Sequence, residues 1–266
     1  MFKKIAGVLG YKINRTILGI GHSHILSIQT ALISQIDDLK ENSKLELQTI
    51  WLGDDRYQDF RRHVGNDGIE GFVWAEEIVN EITKLNPKAD ILFSAFGGNA
   101  HNIFGLVQHP HPFDFTLSSK PNLFVNEKVQ LVPEALVELA MTGQGGFPET
   151  VWCLRAARSI YSGRIVHLES PPPIKDADYL KNYAGAFKDQ FETYGISPPF
   201  LRYKLWRLHS MLIKKECMLQ NIEFIECPKE FIDEEGFLKS NGWAMDTTHA
   251  NAAYGDSVIK QLIKLS

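Results

Sequence analysis

A chain of 266 residues, 44% hydrophobic and 23% charged, can bury a substantial core and has the composition of an ordinary globular protein. Its net charge of −4 gives no basic footprint for nucleic acid or an anionic membrane, and no apolar run is long enough to cross a bilayer. Three cysteines, Cys153, Cys217 and Cys227, are an odd number without metal-type spacing, which argues for a reducing compartment and against a disulfide framework. Met1 to Lys4 followed by the short, glycine-containing Ile5–Tyr11 stretch imitates a signal peptide. Lys12 ends it without a small-residue cleavage site, so a cytoplasmic protein is the expectation.

Apolar runs rich in β-branched residues alternate along the chain with helical patterns. Thr16–Ile20 reads as a first strand and Ser27–Leu39 as the helix after it. Leu45–Leu52 reads as a second strand, Val73–Leu85 as a helix and Ala89–Ala95 as a third strand. Arg164–Leu168 is the fourth strand, Ile222–Glu226 the fifth, and a last helix runs from about Asn251 to Leu265. Strands separated by helices predict an α/β fold of about five parallel strands with helices on both faces, since parallel strands need crossover connections. A single domain over 1–266 is expected, with helical insertions near 103–163 and 171–221. In the second insertion Tyr179, Tyr183, Phe187, Phe191 and Tyr194 recur every three or four residues, the spacing of one apolar helical face.

Sites in such folds lie beyond the carboxyl ends of strands, near the point where the strand order reverses. Ser23, in Gly21-His22-Ser23-His24, follows the first strand, and Asn99, after Gly97-Gly98, follows the third. In a flavodoxin-like order those strands are neighbours, so both residues reach one rim. Alone, Ser23 reads as a helix cap and Asn99 as a turn residue. Asn66-Asp67-Gly68-Ile69-Glu70-Gly71 reads as a loop that offers a backbone N–H at Gly71. Asp246-Thr247-Thr248-His249 can close one turn, so that the carboxylate reaches one imidazole nitrogen and the other faces outward. A serine, a base and a group that orients the base form the arrangement of nucleophilic catalysis.

The order Ser, Gly, Asn, Asp-x-x-His resembles that of the SGNH (GDSL-like) hydrolase superfamily. Asn251-Ala252-Ala253-Tyr254-Gly255 after His249 is similar to the run that opens that family's last helix, and Glu169-Ser170-Pro171-Pro172 to a proline-rich turn found in members. The resemblance implies a three-layer α/β/α flavodoxin-like sandwich that cleaves esters. It carries Ser23 as nucleophile, His249 as base, Asp246 as orienter, and Ser23, Gly71 and Asn99 as the oxyanion hole. Two positions depart from the family pattern. The usual Asp beside the nucleophile is His22, and the usual Asp after the Asn is Ala100, so the network that holds those loops must differ, with His24, His101 or Asn102 as substitutes.

The expected activity is therefore hydrolysis of a small acyl ester, an O-acetyl or short-chain acyl group on a carbohydrate or metabolite, with no cofactor, no nucleic acid and no membrane partner. Acyl transfer by the same site is the nearest alternative. A metal-dependent hydrolase built on His22 and His24, with His109, His111 and Asp246, is a second. A non-catalytic member of the fold that binds a glycan or acyl group is a third.

Overall fold

The computed structural model describes residues 15–35, 39, 44–54, 61–64, 70–88, 90–144 and 146–265, with 61–64 and 70–73 as backbone only. The leader-like N-terminal stretch, Asn66–Ile69 and residues 36–38 of the helix expected over Ser27–Leu39 lie outside these residues. Each of the five expected strands forms: β1 (Arg15–Gly21), β2 (Leu45–Trp51), β5 (Ile91–Ala95), β8 (Arg164–Leu168) and β9 (Glu223–Ile225). All pair in parallel in the order β2-β1-β5-β8-β9. This is the flavodoxin-like order, with its reversal between β1 and β5.

The side chains show why the sheet lies between two layers. In β1, Ile17 faces one layer and Leu18 and Ile20 the other; in β5, Ile91 and Phe93 oppose Leu92; in β8, Val166 opposes Ile165. Successive residues of a strand point to opposite faces, so runs apolar at every position must be covered twice. Helices α1 (Ile25–Ile33) and α9 (Ala252–Leu265) cover the first face through Ile25, Ile28, Val258 and Leu262. Helices α2 (Glu76–Thr83) and α5 (Phe147–Ile160) cover the second through Ile78, Ile82, Val151 and Leu154. The three-layer α/β/α sandwich implied by the sequence resemblance is the fold of this chain.

One glycine sets how closely the first layer packs. A Cβ at Gly255 of α9 would lie 2.2 Å from the Ser27 carbonyl oxygen of α1, so only a residue without a side chain lets the two backbones approach this far. Asn251 caps α9, its Oδ1 accepting from the N–H groups of Ala253 and Tyr254. Its Nδ2 donates to the Asn241 and Trp243 carbonyls, which fixes the chain that leads into the helix.

Between β2 and α2 the chain forms an antiparallel hairpin of β3 (Arg61–Val64) and β4 (Glu70–Val73). The first insertion contributes α3 (Ala100–Gly105), a short parallel pair β6 (Phe113–Asp114) and β7 (Gln130–Leu131), α4 (Glu134–Gly143) and then α5. The second holds α6 (Ala177–Asn182), a 3₁₀ turn at Gly185–Phe187, α7 (Lys188–Tyr194) and the long α8 (Pro199–Leu219). The aromatic stripe expected over 179–194 is therefore not one helical face. Gly185 at φ +54° breaks it: the Tyr179 ring packs at a tilt against Trp243, Phe187 stacks with Phe191, and Tyr194 is exposed. A small core of Phe115, Leu117, Val137, Met141, Leu201 and Leu205 joins the first insertion to α8. At its edge the fully buried Lys204 ammonium donates to the Asp114 carboxylate and to the carbonyls of Phe115 (2.8 Å) and Phe124 (3.2 Å).

Four histidines, His24, His101, His167 and His209, are buried. Burial pushes His24 and His167 down to about 3 and His209 to about 4, and holds His101 well below 6.5. The unfolded chain takes up protons at these rings as the pH falls through 6.5, whereas the folded protein resists until about 3 to 4. A depressed imidazole pKa therefore gives stability that is complete above the unfolded value and lost as the pH drops below it. Urea midpoints should be steady above about pH 7 and fall steeply from there toward pH 3; a constant midpoint across that window contradicts this account. Gly255→Ala should cost about 1–3 kcal/mol through overpacking, and Asp114→Ala about 3–5 kcal/mol by stranding Lys204, both read from denaturant unfolding.

Candidate functional site

β1 ends at Gly21, and the chain turns over Ser23 before α1 begins: the N–H of Ile25 donates to the His22 carbonyl (3.0 Å) and that of Leu26 to the Ser23 carbonyl (3.1 Å). His24, not Ser23, is the N-cap residue of α1. The Ser23 hydroxyl meets His249, with Oγ 2.7 Å from Nε2. His249 lies just ahead of α9 as Ser23 lies just ahead of α1, and the close packing of those helices at Gly255 brings the two ends together.

Both oxygens of Asp246 are used. Oδ1 accepts from the backbone N–H groups of Thr248 and His249, each at 2.8 Å, which closes the turn. Oδ2 lies 2.9 Å from Nδ1 of His249. Partial burial raises the Asp246 pKa, but the His249 hydrogen bond and the two N–H groups outweigh it and hold the carboxyl at about 2. An ionised Asp246 accepts from Nδ1–H, so the lone pair of His249 is on Nε2, facing the Ser23 hydroxyl.

The second side of the rim comes from β5. Gly97 has φ +60°, and a Cβ there would fall 1.5 Å from Thr150 Oγ1 of α5; a Cβ at Gly98 would fall 2.3 Å from the His24 ring. The paired glycines let the chain pass between these side chains and deliver Asn99 at the start of α3. Asn99 Oδ1 accepts from Asn102 Nδ2 (3.0 Å) and lies 3.1 Å from His24 Nε2. Burial, and then the neighbouring His249, keep His24 neutral, with its Nε2–H donating to Asn99. With its oxygen doubly engaged, the Asn99 amide has its NH₂ group turned away and without a partner among the described residues.

Ser23, His249 and Asp246 are thus joined directly, and Asn99 meets them through His24, whose ring lies 4.8 Å from that of His249; of the expected substitutes, His24 and Asn102 bond to Asn99. His101 does not: it is buried against His209, with ring centroids 5.6 Å apart. Gly71 lies in β4 opposite His63 rather than in a loop, in a hairpin that packs beside α5. No described contact joins it to Ser23.

His22 and His24 do not alternate along a strand, because β1 stops before them. His22 Nδ1 accepts from the Gly97 N–H (3.1 Å), and its Nε2 lies 3.2 Å from Glu149 Oε1, whereas His24 turns to Asn99. His109 and His111 bond to each other in an exposed turn. Among the described residues no three His, Cys, Asp or Glu side chains converge as a metal site. Glu149 and Thr150 were not legible as site residues, since only the folded packing of α5 brings them to the rim. A surface cavity of about 760 Å³ lies between Lys175, Asp233, Lys239 and Trp243, and Ser23, Asn99, Asp246 and His249 do not line it.

No protein-family model matches the chain, and a search of curated proteins finds no match. Among solved structures it is similar to the periplasmic domain of a lipopolysaccharide acetyltransferase from Salmonella ser. Paratyphi A. The identity is 15%, the match covers 98% of this chain and 87% of that one, and the TM-score is 0.46. It is also similar to a GDSL-like lipase from Bacteroides thetaiotaomicron, at 10% identity over 99% of this chain and 96% of that one, with a TM-score of 0.41.

Proposed function

We propose that the chain is a serine ester hydrolase of the SGNH type. The observation that supports this reading most directly is the continuous hydrogen-bonded series Ser23 Oγ–His249 Nε2, His249 Nδ1–Asp246 Oδ2. Ser23 Oγ attacks the acyl carbonyl carbon as His249 Nε2 takes its proton. Asp246 holds the ring with its lone pair toward Ser23 and stabilises the imidazolium that forms. The carbonyl oxygen becomes an oxyanion held by the Asn99 NH₂ group and the Ser23 N–H. Collapse expels the alcohol, which receives the proton from His249. Water, activated by the same imidazole, then releases the acid from Ser23.

The substrate in this reading is a small acyl ester, an acetyl or short acyl group on a carbohydrate or metabolite. One feature supports a modest substrate: the site sits on an open rim, with the side chains of His249 and Asp246 27% and 43% exposed. An alcohol in place of water would give acyl transfer through the same steps.

With p-nitrophenyl acetate, Ser23→Ala and His249→Ala should each abolish measurable turnover, and a chelator should leave the wild type unchanged. Asn99→Ala should lower kcat by about 10²–10³ with little change in KM, because an oxyanion contact strengthens only in the transition state. Activity that survives Ser23→Ala but is lost to chelator would defeat the serine route in favour of a metal. Product partitioning with an added alcohol separates hydrolysis from transfer.

A further inference from the structure

The position beside the nucleophile holds an imidazole whose two nitrogens have different partners. The Gly97 N–H can only donate, so His22 Nδ1 must carry the lone pair at that 3.1 Å contact. The proton of a neutral ring is then on Nε2, and it points at Glu149 Oε1, 3.2 Å away. Glu149 sits in the first turn of α5, where the helix N-terminus favours a carboxylate. The hydrogen bond from His22 also lowers the Glu149 pKa, which keeps the acceptor ionised. The His22 backbone N–H donates to Ala95 (3.1 Å), which joins the turn after β1 to the end of β5 just before Gly97.

We infer that His22 and Glu149 form a carboxylate–imidazole positioning pair: Glu149 fixes the His22 tautomer, and His22 in turn holds the Gly97 N–H and so the Gly97-Gly98-Asn99 turn that presents the Asn99 amide to the reacting carbonyl. Neither residue touches substrate. The pair performs with a neutral ring and a distant carboxylate what one short carboxylate beside Ser23 would perform by accepting the same N–H directly. The geometry has a specific corollary. A carboxylate placed at position 22 could accept from Gly97, but it would face the Glu149 carboxylate across a few ångströms, and like charges that close are unfavourable. His22→Asp should therefore fail alone and recover when Glu149 loses its charge. The effect on kcat rests on the esterase reading; the tautomer does not.

The test combines imidazole ¹H–¹⁵N NMR of the full chain with p-nitrophenyl acetate kinetics and melting temperatures for Glu149→Leu, His22→Asp and His22→Asp/Glu149→Gln. The expected spectrum shows His22 with a proton on Nε2 and a bare Nδ1. Glu149→Leu and His22→Asp should each lower kcat by about 10–100-fold with KM within about twofold, the size of effect usual for groups that orient a catalytic group. The double variant should return to within about fivefold of wild type and should melt above His22→Asp. A proton on Nδ1 of His22, or a double variant no more active than His22→Asp, overturns the inference. If the wild type hydrolyses no ester, the esterase reading fails on its own. The tautomer and the melting-temperature recovery then decide the pair, their presence supporting it and their absence defeating it.

Discussion

The close approach of α1 and α9 at Gly255 is the constraint from which the rest of the site follows. Ser23 and His249 come from opposite ends of the chain, and nothing local holds them together. What brings them to 2.7 Å is that each directly precedes a helix and that those helices touch backbone to backbone, with the Ser27 carbonyl in the space a side chain at 255 would fill. The site is thus positioned by helix packing over the sheet and only then refined by hydrogen bonds. That order suits the energetics. Packing supplies the large, non-directional term, whereas a single hydrogen bond contributes about 1 kcal/mol net and serves better to select a rotamer or a tautomer.

The three structural walls of the rim differ in what stiffens them. The 246–249 turn is closed by one carboxylate that serves both the backbone and the ring. The Asn99 turn is held by side chains on three sides: His24 and Asn102 on its amide oxygen, Thr150 against Gly97, and His22 on the Gly97 N–H. The turn carrying Ser23 is the simplest, since it continues the β1 ladder through the His22 N–H and then enters α1. His24, whose burial holds it down to about 3, must stay neutral to donate to Asn99 as it does, which ties this wall of the rim to pH.

Much of this was legible in the sequence, for identifiable reasons. The inner strands β1, β5 and β8 are apolar on both faces, the edge strands β2 and β9 on one, so the hydrophobic pattern locates them, and the alternation with helices forces parallel pairing. Ser23, Asn99, Asp246 and His249 stood out as candidates because each sits where a strand or loop feeds a helix, the place where side chains are free to act. The β3–β4 hairpin escaped because its strands carry charge and glycine and lie apart from the main sheet, so neither hydrophobic period marks them; Gly71 was accordingly read as a loop residue. The aromatic run over 179–194 matched a helical period, yet Gly185 at positive φ broke it into two short helices whose rings face different neighbours. Glu149 and Thr150 were invisible as site residues because their roles exist only in three dimensions, in contacts to His22 and Gly97 far earlier in the chain.

Lys204 shows how an insertion becomes part of a fold. Its ammonium is sealed beneath residues 114–124 and owes its tolerable burial to groups which that segment alone provides, the Asp114 carboxylate and two main-chain carbonyls. A lineage that shortened this segment would leave a lysine in an apolar cleft of α8 with nothing to receive its protons. Removing the segment while keeping the lysine would strand a buried charge at about 3–5 kcal/mol, so as long as Lys204 is present the insertion is part of the scaffold and not a removable ornament.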